Sequence, residues 1–247
     1  MYFLRKDLKA KYAGSALGVL WTFIMPIIQI LLLWLVFSMI MKARPYGNSQ
    51  IPYIYFLLSS YFFWLAFLEG TMRAANSIIE NSEIVKKISF PKIILPLTAT
   101  ISSYVPNILG YVLFILIFSI KTSFSPMIFM VIPVLLVQII FSLGVGMILS
   151  AVVPYVRDLG QLLGQILQGL FFLSPIIYSM DAIPEKLRII FYLNPMTYFV
   201  FSYQKILLLN EFPSPYHLAM ALSLGLFFFI GGRYAFNRLK EGFADVL

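Results

Sequence analysis

The sequence has no cysteine and a single histidine, His217, among its 247 residues. Disulfide bonds, thiolate nucleophiles and cysteine-based metal sites are therefore excluded, and His217 has no second imidazole with which to hold zinc. We interpret His217 as an interfacial polar residue. The dipeptide Gly-Lys is also absent, so no Walker A loop is present to hold a nucleotide phosphate. This chain is not expected to hydrolyse ATP by itself.

Charge is scarce as well, at 11% of residues, whereas 61% are hydrophobic and the mean hydropathy is +0.91. A water-soluble fold cannot hide that much apolar surface, so the composition indicates an integral membrane protein surrounded by membrane lipids. The formal net charge is +8, but the basic residues fall in short segments between apolar runs. In that position they set membrane topology, so no nucleic-acid partner is expected.

The apolar runs predict an all-α integral membrane protein with six transmembrane helices in one transmembrane domain, 1–247. A helix needs about 20 residues to cross about 30 Å of hydrocarbon. The first run is too long for the core of a signal peptide and is interpreted as a retained span. The predicted spans are 19–41, 52–75, 97–120, 126–153, 159–180 and 216–232.

Lysine and arginine divide unequally between the two sides of these spans. One side holds twelve of them, including those near both ends of the chain, and the other side holds six. The positive-inside rule therefore predicts that both termini are cytoplasmic.

Three segments outside the spans have helical patterns of their own. Residues 1–14 are predicted to form an amphipathic helix in the cytoplasmic interface. Residues 77–91 are predicted to form a short cytoplasmic helix, with a Ser77 and Glu80 capping box, a Glu83 to Lys87 ion pair and a stop at Pro91. Residues 181–211, on the outer side, are predicted to form interfacial or re-entrant helices because they are too apolar for a plain loop.

Two groups of side chains within the spans are candidates for a translocation path. The second span carries Tyr61, Phe62 and Trp64, which either line a path for a sugar chain or serve as lipid-facing bulk and helix packing. Three amides recur at helical spacing in the fifth span, either cementing helices together or facing a polar conduit or subunit seam. These amides are Gln161, Gln165 and Gln168.

Evidence for chemistry within the chain is weak. Asp181 and Glu185 have a spacing that suits acid–base work on a sugar, but Pro184 lies between them and a solvated helix start is the preferred interpretation. Glu69 falls near a predicted span end, so no buried proton relay is expected. A membrane-embedded enzyme and a carrier working alone remain as alternatives, and an external energy source is favoured.

Short segments along nearly the whole chain resemble the type-2 ABC exporter permeases, in particular the polysaccharide-exporting branch with its O-antigen, capsule and teichoic acid permeases. The matching segments are Arg5–Tyr12, Ser15–Gly18, Leu20–Trp21, Pro26, Phe90–Pro96, Leu193–Pro195, Phe236–Arg238 and Phe243–Asp245. Their order and their placement relative to the predicted membrane carry the resemblance.

This resemblance implies a homodimer in a bacterial inner membrane, engaged by two copies of a cytoplasmic ATPase that holds the ATP and Mg, with no cofactor in this chain. The cargo it implies is a lipid-linked, O-antigen-like polysaccharide; teichoic acid, capsule or a small drug or lipid are the alternatives. It makes the 77–91 helix the coupling helix, and 181–211 the helices that close the outer mouth. The coupling residues would be Glu80, Glu83, Ile84, Lys86, Lys87, Phe90 and Pro91, and the interface helix would use Arg5, Lys6, Lys9 and Tyr12.

Overall fold

A computed structural model of the chain describes residues 20–43, 45, 51–122 and 125–247. Across these ranges every regular element is helical, in agreement with the predicted all-α class. The predicted interface helix at 1–14, with Arg5, Lys6, Lys9 and Tyr12, lies outside the described residues.

Ten α-helices follow one another along the described chain, and four of them are extended by short turns of π or 3₁₀ helix. They are α1 (Trp21–Trp34, continued by a π turn at Leu35–Ile40), α2 (Tyr53–Glu80), α3 (Ser82–Lys87), α4 (Ile94–Lys121), α5 (Val131–Val152, preceded by a 3₁₀ turn at Pro126–Met130), α6 (Arg157–Phe172), α7 (Glu185–Leu193), α8 (Met196–Gln204, continued by a π turn at Lys205–Leu209), α9 (Pro215–Leu239, continued by a 3₁₀ turn at Lys240–Gly242) and α10 (Phe243–Val246).

Four of the described helices are long and apolar enough to cross a membrane, namely α2, α4, α5 with its leading turn, and α9. The apolar part of α1 is shorter. The helix predicted at 159–180 ends instead at Phe172, because Pro175 follows within three residues and disfavours continued helix before it. At 16 residues α6 is about 24 Å long, short of the hydrocarbon thickness. The count of six spans stays a prediction.

The long helix α2 lies at the centre of the bundle. It packs along α4 and α5 and contacts α6 and α8 at further points. Aromatic rings fill much of the space between these helices, and the Phe63 ring lies 4.3 Å from the rings of both Tyr111 and Tyr203. Such ring pairs contribute about 0.5–1.5 kcal/mol each beyond the area they bury. The main core therefore surrounds the first two thirds of α2.

Helices α5 and α9 approach until their backbones touch. The contact joins Gly144 to Gly232 and to the backbone of Phe228. A Cβ atom added to Gly232 would fall on the carbonyl oxygen of Gly144, and one added to Gly144 would fall on the Phe228 backbone. Glycine is required at both positions because any side chain would force the helices apart.

A buried amide in α5 joins three helices. The Gln138 side chain donates to the Phe63 carbonyl of α2 at 2.9 Å and accepts from the Tyr203 hydroxyl of α8 at 2.7 Å. One turn along α5, the Ser142 and Tyr104 hydroxyls lie 2.6 Å apart and join α5 to α4. Each of these polar groups is buried, so their mutual hydrogen bonds offset a desolvation cost that would otherwise oppose folding. The polar groups fix the register of the bundle.

Two short helices, α7 and α8, lie within residues 181–211. Helix α8 is buried along most of its length, whereas α7 exposes Ile189 and Leu193. Asn194 joins the two to the end of α6. Its amide donates to the carbonyls of Leu170 and Leu173 at 3.0 Å each, and its side-chain oxygen accepts from the Met196 amide. The segment is thus closed at its base by one side chain.

Candidate functional site

The short helix outside the long bundle, α3, is smaller than the predicted 77–91. It comprises Ser82–Lys87, and α2 continues without a break to Glu80. The predicted capping box is wrong, because Ser77 is buried inside α2 and its hydroxyl donates to the Ala74 carbonyl at 2.7 Å. Asn81 ends α2 instead, with its amide donating back to the Ser77 carbonyl.

The surface of α3 carries most of the predicted coupling residues. Glu83, Lys86 and Lys87 are exposed, and Ile84 is half-buried. The predicted ion pair is present, with the Lys87 ammonium 3.3 Å from the Glu83 carboxylate. Because both side chains are solvated, the pair adds little stability and its charges are available to a partner.

The remaining predicted coupling residues flank α3 rather than lying on it. Glu80, the last residue of α2, and Pro91 are exposed, whereas Phe90 is half-buried and packs on the apolar cluster beneath. The structure therefore brings the charged members of the predicted set onto one small exposed surface and places Phe90 underneath it.

Helix α6 has two chemically different faces. Leu163, Leu167 and Phe171 form its buried stripe, and α2 lies against α6. A Cβ added to Gly160 would approach the Asn76 side chain of α2, so this glycine serves packing within the chain. The stripe recurs at every fourth residue, the helical spacing of one face.

The other face of α6 carries the predicted amides. Gln161, Gln165 and Gln168 are all exposed, and none of them has a hydrogen-bond partner among the described residues. The exposed apolar residues Leu162 and Ile166 flank them. Three primary amides facing hydrocarbon would leave their donors and acceptors without partners, which is costly. We call these three residues the glutamine face; its chemistry requires water, cargo or another protein surface against it.

The predicted aromatic part of the path requires a correction. Tyr61 and Trp64 are buried inside the chain, with the Phe171 ring of α6 at 6.1 Å from Tyr61 and 5.6 Å from Trp64. Their spacing of three residues puts both on the face of α2 that α6 covers. They therefore serve helix packing, the alternative that the sequence left open, and do not face an open path.

Phe62 points elsewhere, to a cavity of about 470 Å³ between α1, α2 and α4. The walls are almost wholly apolar and include the helix-interior prolines Pro26 and Pro106. A Cβ added to Gly110 would approach the Phe62 ring to 2.6 Å. Few polar groups line the cavity to orient a sugar, and the place of Phe62 in a translocation path stays a prediction.

Two charges within α2 are paired with each other. Glu69 lies eleven residues before the end of α2, and its position near a span end stays a prediction. Its carboxylate is 3.8 Å from the Arg73 guanidinium, which also donates to the Ser102 and Ser103 hydroxyls of α4 at 3.0 and 3.3 Å. Such pairing is typical of charges that stabilise helix contacts within a membrane bundle.

No group of three or more acidic residues or histidines that could hold a metal ion occurs in the described part of the chain. Asp181 and Glu185 are both exposed, at the turn that precedes α7 and at its first residue. Exposed carboxylates there match the solvated helix start that the sequence favoured. The exposed charges of α3 and the glutamine face of α6 are thus the two candidate functional surfaces.

The family of the chain agrees with this arrangement. The model of the ABC-2 type transporter family matches residues 1–208. The chain therefore belongs to the ABC-2 type transporter family, and the resemblance to type-2 ABC permeases is confirmed. It is a multi-pass membrane protein of a transporter family.

Individual relatives match over almost the whole chain. Two O-antigen export system permease proteins named RfbA from Klebsiella pneumoniae are 29% and 30% identical over 247 residues, covering 98% of this chain and 92% of each relative. A protein of the same name from Myxococcus xanthus is 26% identical over 246 residues, with the same coverage.

Proposed function

We propose that this chain is the permease subunit of an ATP-driven exporter that moves a lipid-linked polysaccharide of the O-antigen type out of the cytoplasm. The observation that carries the proposal is the similarity of 29–30% over 98% of the chain to permeases of O-antigen export. It extends through the matched family domain and beyond it to α9 and α10. No single motif or segment accounts for it.

The energy comes from a separate ATPase, since the sequence contains no Walker A loop. Two copies of that ATPase, each holding ATP and Mg, bind the cytoplasmic side of a homodimer in the inner membrane, with both permease termini in the cytoplasm. Helix α3 is the coupling helix, and the exposed Glu83, Lys86 and Lys87 are its contacts with the ATPase. Closure of the ATPases on ATP then moves α3.

The glutamine face of α6 supplies the polar surface for the cargo or for the second permease subunit. Amides both donate and accept, as do the hydroxyls and acetal oxygens of a glycan, so Gln161, Gln165 and Gln168 suit a sugar chain that must slide without a fixed register. A conduit lined in this way suits a polymer, because a long chain does not fit within one closed cavity. The short outer helices at 181–211 close the conduit at its outer mouth.

The first experiment is recovery of the tagged permease from its host in mild detergent, with mass spectrometry of its partners and bound lipid. We expect an ATPase subunit and a lipid-linked glycan. Reproducible recovery of the chain with no nucleotide-binding partner would overturn the proposal. Recovery with a teichoic acid, capsule polymer or drug would show that the cargo is that molecule and not an O-antigen-like polysaccharide.

A charge reversal tests the coupling surface directly. Lys86→Glu together with Lys87→Glu reverses the charge of α3 without touching a buried side chain, and we expect recovery of the ATPase and export both to fall more than about tenfold. The matched control is Lys121→Glu with Lys186→Glu, which changes charge equally at exposed residues on the predicted outer side. Intact assembly and export in the α3 variant would show that α3 is not the coupling helix.

A further inference from the structure

A second, smaller apolar cluster lies at the end of the bundle near α3, separate from the main core. Five helices and the segment after α9 contribute to it. Its buried members are Ile78, Val85, Leu95, Met147, Ala151, Phe236 and Phe243. The cluster is therefore where α3 meets the long helices.

Helix α3 depends on this cluster for its order. It has six residues, and isolated helices shorter than about 12–15 residues are marginal in water. Its one ion pair, Glu83 with Lys87, is solvated and weak. Val85 is its single buried side chain, and it enters the cluster. The contact through Val85 therefore holds α3 in place.

Phe243 occupies the middle of the cluster and is fully buried. The Phe236 ring of α9 meets it edge-on at 5.7 Å, and the Tyr155 ring from the α5–α6 connection lies at 6.2 Å. The Lys92 ammonium, from the segment that follows α3, lies 5.7 Å from the Phe243 ring centre. A cation over an aromatic face is favourable. Phe243 thus touches groups from three separate parts of the chain.

Hydrogen bonds fasten the segment around Phe243. The Tyr155 hydroxyl donates to the Leu239 carbonyl at 2.7 Å, and the Lys92 ammonium donates to the Lys240 carbonyl at 3.3 Å. These carbonyls lie where α9 passes into the 3₁₀ turn Lys240–Gly242. The Arg157 guanidinium, at the first residue of α6, donates to the Val246 carbonyl at 3.3 Å. The donors come from both sides of the segment, the α3 side and the α6 side.

Helix α10 packs directly on α3, which completes a continuous chain of contacts. From α3 it passes through Val85 to Phe243, and from there through Tyr155 and Arg157 to the beginning of α6. Helix α6, where this series of contacts ends, carries the glutamine face. None of the residues between the two surfaces is a predicted contact of the ATPase.

We infer that the segment Lys240–Val246, with Lys92 and Tyr155, is a brace that holds the coupling helix in the position the ATPase engages and links it to α6. The inference rests on the proposed function for the identity of the partner. Phe243 is a positioning residue in this scheme, since it acts through α3 and need not touch the ATPase. Its loss releases α3, and the ATPase must then supply the free energy that orders the helix.

The test compares Phe243→Ala with Phe227→Ala, a matched phenylalanine of α9 whose side chain is 71% exposed. Amide hydrogen exchange is measured on the whole permease in detergent, and recovery of the ATPase and export are measured beside it. In Phe243→Ala we expect amides of Ser82–Lys87 to exchange about tenfold faster or more, because a buried ring contact is lost locally. Amides of residues 131–141, the part of α5 that lies in the main core, should be unchanged. ATPase affinity and export should fall by a similar factor, and Phe227→Ala should match the unaltered protein.

If Phe243→Ala does not accumulate, Phe243→Leu carries the same comparison, because it keeps apolar volume and loses the ring contact with Lys92. Unchanged exchange of Ser82–Lys87, or faster exchange across the whole chain including residues 131–141, would overturn the brace. If the unaltered permease binds an ATPase and the Phe243 variants bind it equally well, the brace fails and the proposed function stands. If the unaltered permease recovers no ATPase, the proposed function itself fails.

Discussion

The α5–α9 contact is closely packed, whereas the glutamine face of α6 is exposed. At the first, Gly144 and Gly232 bring two backbones together with no side chain between them. At the second, three amides are exposed, and a Cβ added to Gly169 beside them would meet no atom of another described segment within 4 Å. Small residues serve close packing where helices are fixed, and exposed polar residues mark a surface that is completed by something else.

We call the residues that pack helices against one another within the chain the scaffold, and their role differs from that of the glutamine face. Gln138, a scaffold residue, finds its hydrogen-bond partners within the described chain, in Phe63 and Tyr203. The amides of the glutamine face have none there. Changes to the scaffold are therefore expected to lower stability, whereas changes to the glutamine face are expected to leave stability unaltered and affect transport.

The largest expected effect comes from Gly232→Ala, because the new methyl group falls on the Gly144 carbonyl and both helices must move. Overpacking of this kind costs about 1–3 kcal/mol, and we expect the upper end of that range because the obstacle is backbone. Thermal unfolding in detergent measures it. Gly231→Ala is the control, since no atom lies within 4 Å of its Cβ position. Equal unfolding temperatures for the two variants would show that the backbone contact is not required.

A middle effect is expected from Gln138→Leu, which leaves the Tyr203 hydroxyl buried without its acceptor. An unpaired buried donor costs about 1–3 kcal/mol. Tyr203→Phe on the same background removes that donor and should restore part of the loss, so the double-mutant cycle isolates the hydrogen bond. Additive losses from the two changes would mean that the hydrogen bond contributes nothing.

The smallest effect on stability is expected from replacing Gln161, Gln165 and Gln168 together by Leu. Exposed substitutions change stability by about 0.5 kcal/mol or less, so the unfolding temperature should hold while export of the glycan is lost. Leu222, Leu226 and Ile230 are three exposed residues of α9 one turn apart, and their joint replacement by Ala is the control. Full export by the glutamine variant would remove the glutamine face from the proposed path.

The sequence predicted the helical class, the long apolar helices and the charged surface of α3, because these depend on local composition and charge. The capping box failed for a physical reason. A serine followed three residues later by glutamate also occurs inside helices, and Ser77 bonds its own preceding turn there. Nothing between Ser77 and Asn81 disfavours a helix, so α2 runs on.

The aromatic path could not be judged from the sequence, because hydropathy does not distinguish a lipid-facing position from a buried one. Trp64 and Tyr61 are buried only because Phe171, over a hundred residues later, covers them. The brace at Phe243 was likewise not apparent from sequence alone. The sequence signal was the resemblance of Phe243–Asp245 to the family, and a resemblance does not specify a spatial neighbour such as Tyr155.

Asn194 has a consequence for how proteins of this kind can vary. Its amide holds the end of α6 next to the start of α8, so the positions of both helices are fixed at the base of the intervening segment. The tip of that segment, from Asp181 to Lys186, is largely exposed. Residues added or removed at the tip leave the base undisturbed, and the entropic cost of a longer loop rises only slowly. Evolution, or an experimenter inserting an epitope, can therefore lengthen the chain here without shifting the registers of the helices on either side.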